Sequence, residues 1–167
     1  MIRDITAADL DAVAAIYNHY VTATTVSYEE TAVSVQDFQS RVQQVMEQGY
    51  PWLVAEDQGQ VVGYAYAARW KDRAAYKNSV EITVYLAQDA TGRGWGTQLY
   101  RALFEQLKAM GKRMVIGGIS LPNPASVALH EKMGLKQVAL FPAVGFKFGR
   151  WLDVGYWQGD LEQMEQI

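Results

Sequence analysis

The sequence predicts an α+β domain in which a mixed, mostly antiparallel sheet is flanked by about four helices. Three observations carry this. Val80 to Leu86 is a β-branched strand that hands over, through a polar turn and a glycine cluster, to a helix whose Leu99, Leu103 and Leu107 recur every fourth residue. Trp52 to Glu56 and Val61 to Ala68 read as a hairpin joined by DQGQ. Helical patterns interleave with the remaining strands without a repeat, a low-complexity run or a linker, so one domain spans residues 1–167.

In chain order, Ile2 to Ile5 is a short first strand. Thr6 followed by Asp9 is a capping-box-like helix start, and Leu10, Val13, Ile16, Tyr17 and Tyr20 form the apolar stripe of that helix. The stretch TATTVSYEET lacks clean alternation and reads as a loop over the core. Tyr28 in this loop either closes over a ligand or packs half-buried on the core. Ser34 and Asp37 open a second helix carrying Phe38, Val42 and Val45, stopped at Gly49. After the hairpin and the RWKDRAAYKNS segment come the Val80 strand and the central helix, which ends at Gly111. Lys112 to Ile119 is a strand with an apolar run that suggests burial on both faces. Asn123, with Pro124 in the first helical position, opens a short helix ended by Gly134. Two strands, around Val138 to Phe148 and Trp151 to Gln158, finish the chain.

Composition narrows the function classes. Half of the residues are hydrophobic, enough for a real core, and the net charge of −3 makes no general case for nucleic acid or an acidic membrane. The absence of cysteine excludes disulfides, thiol catalysis and cysteine-bound zinc, and two distant histidines argue against a metal site. The acidic start MIRDITAADLD is no apolar signal and no run reaches membrane-spanning length, so a cytoplasmic location is expected.

Gly92, Gly94 and Gly96 sit where the strand passes into a helix N-terminus. Glycine there allows close approach to the backbone, and the first-turn N–H groups have no partner inside the helix, which favours an anion such as phosphate. The spacing G-x-G-x-G misses the dinucleotide fingerprint and lacks the Lys-Ser/Thr of a P-loop, so a tight turn without a ligand is the alternative. Glu81, in the preceding strand, lies within reach of whatever that phosphate carries. A glutamate amid β-branched residues goes against strand propensity, as functional residues do; the alternative is an outward-facing carboxylate.

The run V-x-L-x-x-x-x-x-G-R-G-W-G-T-x-L resembles the acetyl-CoA-binding motif of the GNAT superfamily of N-acetyltransferases. The resemblance sharpens to phosphinothricin and methionine sulfoximine acetyltransferases through YPWLVAE (50–56), GYAYAARWKDRAAY (63–76), VEITVYL (80–86), SLPNPASVALHEKMG (120–134) and GFKFGRWLDVGYWQGDL (145–161). It implies a GNAT fold, acetyl-CoA as cosubstrate, and direct transfer to an amine. It further implies that backbone groups of Val84, Tyr85 and Leu86 bind the pantetheine arm. Gly92, Arg93, Gly94, Trp95, Gly96 and Thr97 would hold the pyrophosphate, and Asn123 would contact the arm while capping its helix. Thr91 stands where many relatives carry glutamine or arginine, and Trp95 where an aliphatic is usual.

By the same resemblance Glu81 is the general base, directly or through water, and a backbone N–H near Val84 serves the oxyanion. His130 stands where phosphinothricin-type members carry a histidine; it either donates a proton to the coenzyme thiolate or is a satisfied structural group. Lys71, Asp72, Arg73 and Tyr76 match residues lining the amino-acid pocket. Arg73 suits a fork on two anionic oxygens and Lys71 a point charge; a solvated charged turn is the alternative. Tyr28, Ile82 and Thr83 complete the expected substrate contacts, with Tyr100 a further pocket candidate. Ile82 replaces a histidine frequent in methionine-sulfoximine-type relatives, which tilts the substrate toward phosphinothricin. A homodimer with the tyrosine- and tryptophan-rich C-terminal strands at or near its interface is also implied. The rival readings are a GNAT enzyme for another amine (a different amino acid, a polyamine, a protein N-terminus) and a non-catalytic acyl-CoA-binding module.

Overall fold

The computed structural model describes residues 1–164, so the last three residues of the expected domain lie outside the description. The strands are β1 (Ile2–Asp4), β2 (Trp52–Asp57), β3 (Gln60–Arg69), β4 (Ser79–Leu86), β5 (Met114–Leu121), β6 (Lys136–Lys147) and β7 (Arg150–Asp160). The helices are α1 (Leu10–Ala23), α2 (Val35–Glu47), α3 (Trp95–Ala109) and α4 (Pro124–Lys132). They build one mixed sheet in the order β1-β2-β3-β4-β5-β7-β6, antiparallel at every step except β4–β5.

Local chemistry explains most element boundaries. The Ser34 hydroxyl accepts the Asp37 N–H at 3.1 Å to start α2, and Gly49, at φ +86°, turns the chain out of it. Asn123 Oδ1 accepts the Ser126 N–H at 3.2 Å to start α4, with Pro124 just inside. The Thr6–Asp9 capping box is present, and it sits on a 3-10 turn that leads into α1. Asp9 closes a single 3-10 turn, Ala7–Asp9, ahead of α1, and its carboxylate accepts the Thr6 N–H at 2.8 Å and hydroxyl at 3.1 Å.

That carboxylate is buried and forked by Arg3 at 2.7 and 2.8 Å, which with the Thr6 bonds outweighs desolvation and holds its pKa at about 2. A depressed carboxylate contributes stability above its unfolded pKa and loses it as pH falls through the folded one. Asp9 should therefore account for roughly 2 kcal/mol of the stability lost in acid. Melting temperatures followed from pH 5 to pH 2 should fall less steeply in Asp9→Asn than in the parent, from a lower starting value.

Period-2 alternation divides the sheet into two packed faces. On one, Ala65, Ala67, Val80 and Ile82 meet the Leu99, Tyr100, Leu103 and Leu107 stripe of α3. On the other, Trp52, Val54 and Tyr64 meet Val13, Tyr17 and Phe38 from α1 and α2. The parallel ladder between β4 and β5 couples only Ser79–Glu81 to Met114–Ile116. Both strands continue, to Leu86 and Leu121, but they diverge, and a gap opens between the two faces.

Candidate active site

A cavity of about 540 Å³ runs through that gap, a size suited to a small-molecule site. Its walls are Glu81–Tyr85 of β4, Gly118–Ser120 of β5, Val26–Glu29 of the α1–α2 loop, and Asn123, Ser126 and His130 of α4. Glu81 stands where the ladder ends. It is half-buried, and burial raises its pKa above the ordinary glutamate range, partly countered by the charge of Lys71. Thr83 and Tyr85 share its face by alternation, whereas Ile82 points to the opposite face and packs in the α3 core while touching the cavity wall.

Past the gap, Val84, Tyr85 and Leu86 pair with Ala65, Tyr64 and Gly63 on the β3 side, while among the described residues their β5 side carries no ladder. The Tyr20 hydroxyl donates to the Leu86 carbonyl, so the free edge is concentrated at Val84 and Tyr85. The chain then makes a 3-10 turn, Gln88–Ala90, closed by the Thr91 hydroxyl on the Gln88 carbonyl at 3.0 Å. Gly92 and Gly94 hold φ of +74° and +85°, the left-handed region that favours glycine, and Gly94 caps α3. Gly96 also serves packing: a Cβ there would lie 2.9 Å from Leu129 of α4. Trp95 packs against the core, Thr97 is buried, and Arg93 pairs with Asp57 at 2.7 Å on the surface. The loop and first turn thus present backbone N–H groups at a helix N-terminus, which fits a phosphate.

His130 is 3 % exposed. Its Nδ1 lies 2.7 Å from the Ser126 carbonyl, which can only accept, so Nδ1 carries the ring proton. Nε2 then accepts from the Tyr100 hydroxyl at 3.0 Å. Burial lowers the His130 pKa and raises that of Tyr100 well above 10, so the neutral pair dominates.

The residues expected to bind substrate are not all brought together. Tyr28, Ile82 and Thr83 line the cavity; Lys71, Asp72, Arg73 and Tyr76 do not, and lie exposed on the segment leading into β4. Lys71 comes near enough to act electrostatically on Glu81 and rests over the Trp70 ring. Glu29, Arg41, Tyr66 and Ser120 line the cavity and escaped the sequence reading. Glu29 accepts from the Tyr17 hydroxyl at 2.6 Å and from Arg41 at 2.5 and 3.0 Å, and chiefly Arg41 lowers its pKa. Only Tyr66 had a signal, since alternation places it beside Tyr64 and opposite Thr83.

Comparison with known proteins bears on this geometry. Residues 2–155 match the model of the acetyltransferase (GNAT) domain. This chain belongs to the GNAT acetyltransferases. Phosphinothricin N-acetyltransferase of Streptomyces viridochromogenes is 42% identical to this GNAT enzyme over 161 residues, covering 96% of it and 87% of the relative. L-methionine sulfoximine/L-methionine sulfone acetyltransferase of Pseudomonas paraeruginosa is 40% identical over 162 residues, covering 96% and 94%. The crystal structure of a GNAT superfamily phosphinothricin acetyltransferase from Sinorhizobium meliloti, in complex with AcCoA, superposes with a TM-score of 0.93 at 39% identity. It covers 96% of this chain and 87% of that one. The GNAT enzyme is an acetyltransferase with acetyl-CoA as cosubstrate, and the strand gap and glycine turn fit the two parts of that molecule, an extended arm and a pyrophosphate.

Proposed function

We propose that this GNAT enzyme acetylates the α-amine of a small glutamate-like amino acid, phosphinothricin or methionine sulfoximine or sulfone, with Glu81 as general base. The observation that carries this reading is a half-buried carboxylate of raised pKa, placed where the cavity crosses the sheet. A non-catalytic acyl-CoA-binding module has no need for it. Acetyl-CoA supplies the acetyl group activated as a thioester. The Glu81 carboxylate takes a proton from the α-ammonium, the freed nitrogen forms the amide bond as the carbon–sulfur bond breaks, and the departing sulfur is protonated. The second proton that the nitrogen loses on forming the amide balances the one the sulfur takes up, and His130, neutral at rest, is the group assigned to that transfer. Val84 and Tyr85 hold the arm, Gly92 to Thr97 the pyrophosphate, and Asn123 contributes the amide N–H₂ that its capping role leaves free.

The substrate class follows from the relatives' activities and from two features of the cavity. Ser120 Oγ and Trp52 Nε1 are buried at its wall with no partner among the described residues. Both can donate to acceptor oxygens, which such amino acids carry and polyamines lack. Lys71 acts electrostatically on Glu81 from outside the cavity, and with Asp72, Arg73 and Tyr76 on the same exposed segment it is assigned to the substrate carboxylate and head group. The exposed apolar face of the β6–β7 hairpin, with Val144, Phe146 and Trp151 each more than half exposed, supports a homodimer across that hairpin. A single catalytic domain over 1–167 and a cytoplasmic location belong to the same reading.

Acetyl-CoA-dependent thiol release across a panel of amines tests it. Turnover should be confined to L-phosphinothricin, L-methionine sulfoximine and L-methionine sulfone, with common amino acids, polyamines and a short peptide far behind. Strong turnover of a polyamine or peptide would discard the pocket assignment. Arg73→Glu should raise KM for the amino acid by about tenfold or more while KM for acetyl-CoA stays within about twofold. Equal effects on both would remove Arg73 from the pocket.

A further inference from the structure

Lys147, on β6, is 1 % exposed and outside the cavity lining, so it touches neither substrate. Its neighbours alternate with it: Gly145 is buried beside it, while Phe146 and Phe148 are more than half exposed on the other side of the strand. The ammonium donates to the Val21 carbonyl at 2.7 Å and the Ser27 carbonyl at 2.6 Å, and lies 5.0 Å from the Phe148 ring centre. Val21 is in the last turn of α1, where carbonyls lack intrahelical partners and favour a cation. Ser27 is the first residue of the Ser27–Tyr28–Glu29 segment that roofs the cavity. A second grip lies one alternation away, because a Cβ on Gly145 would come within 2.4 Å of the Tyr28 ring.

We infer that Lys147 is the positioning residue of the amino-acid pocket: it clamps the end of α1 to Ser27 and so sets the roof formed by Ser27, Tyr28 and Glu29. This rests on the amino-acid reading of the cavity. A buried ammonium is costly unless its donors are satisfied, and an apolar side chain of equal length would fill the same space without that cost. What the ammonium adds is direction, since two carbonyls from separate elements must converge on one nitrogen. Glu29 and Glu30 are the carboxylates facing it, and their charges favour its ionised form against the desolvation that lowers its pKa. The coenzyme side of the cavity, built from β4, β5, α3 and α4, takes no hydrogen bond from Lys147, whose ammonium donates to Val21 and Ser27. Its loss should therefore be felt on the amino acid alone.

Steady-state kinetics and hydrogen exchange on Lys147→Met, Lys147→Arg and Gly145→Ala test the clamp. Lys147→Met should raise KM for the amino acid about tenfold or more, with kcat and the acetyl-CoA KM within about threefold. Its backbone amides over residues 21–29 should exchange faster than in the parent, and Lys147→Arg should recover part of both losses. Gly145→Ala leaves the lysine in place and displaces Tyr28, so it too should raise the amino-acid KM. Unchanged exchange over 21–29 in Lys147→Met, or equal rises in both Michaelis constants, would overturn the inference. Should Lys147→Met fail to fold, Gly145→Ala decides, and an unchanged amino-acid KM there overturns it. If no amine in the panel is turned over, the amino-acid reading falls, and the exchange measurement still decides whether Lys147 holds the loop.

Discussion

Glu81→Gln is expected to lower kcat by about 10²–10³-fold while leaving acetyl-CoA affinity within about twofold. The substitution keeps the size and hydrogen-bonding edge of the side chain and removes only its basicity. The proposed coenzyme contacts lie further along β4 and across the glycine turn, away from Glu81. The pH dependence carries a sign. Burial raises the Glu81 pKa, and the carboxylate is the active form, so turnover should climb with pH through a value above the ordinary glutamate range. Lys71 opposes that rise, so Lys71→Met should move the acid limb further up. Pre-steady-state acetyl transfer from pH 5 to pH 9 gives both quantities. Full turnover in Glu81→Gln with an unshifted acid limb would sink the general-base assignment.

Gly96→Val should raise the dissociation constant for acetyl-CoA by about tenfold or more and lower the melting temperature, with Gly96→Ala far milder. Gly96 sits in the first turn of α3, against Leu129 of α4. A single added methyl meets only the flexible tip of Leu129, which can yield. Two further methyls must push α4 away, at about 1–3 kcal/mol for an overpacked contact. That displacement moves the Trp95–Thr97 N–H groups relative to Asn123, and both are proposed coenzyme contacts. Titration calorimetry with acetyl-CoA on the folded variant measures it; affinity equal to the parent would show that the α3–α4 spacing is immaterial to the site.

The glycine turn also shows what a linear reading resolves. Gly92 and Gly94 were legible as turn residues because tolerance of a positive φ belongs to glycine itself. The contact of Gly96 with Leu129, far along the chain, was not legible in the same way. The same distinction divides the cavity residues. Glu81 stood out because a carboxylate in a β-branched strand breaks a local rule. Glu29 and Arg41 break none: one sits in a loop and one on a helix, where charged residues are ordinary. Only the folding of that loop over β4 brings them to the cavity.

The sequence by itself determined the elements and placed their boundaries to within about two residues, with β5 (expected over Lys112 to Ile119) running over Met114–Leu121 and β6 and β7 starting earlier than expected. Apolar periodicity, helix caps and turn residues act within a few positions of one another, and the motif order carried the family. Tertiary structure decided the rest. It set the divergence of β4 and β5 that opens the cavity and the tautomer of His130, which depends on a carbonyl one helical turn away and a hydroxyl from α3. It also turned Lys147, by pattern an ordinary strand lysine, into a buried clamp on carbonyls more than a hundred residues distant. These are pairings between groups far apart in the chain. Each is fixed by where the sheet's pleat and the helices' packing place two side chains, which no local pattern records.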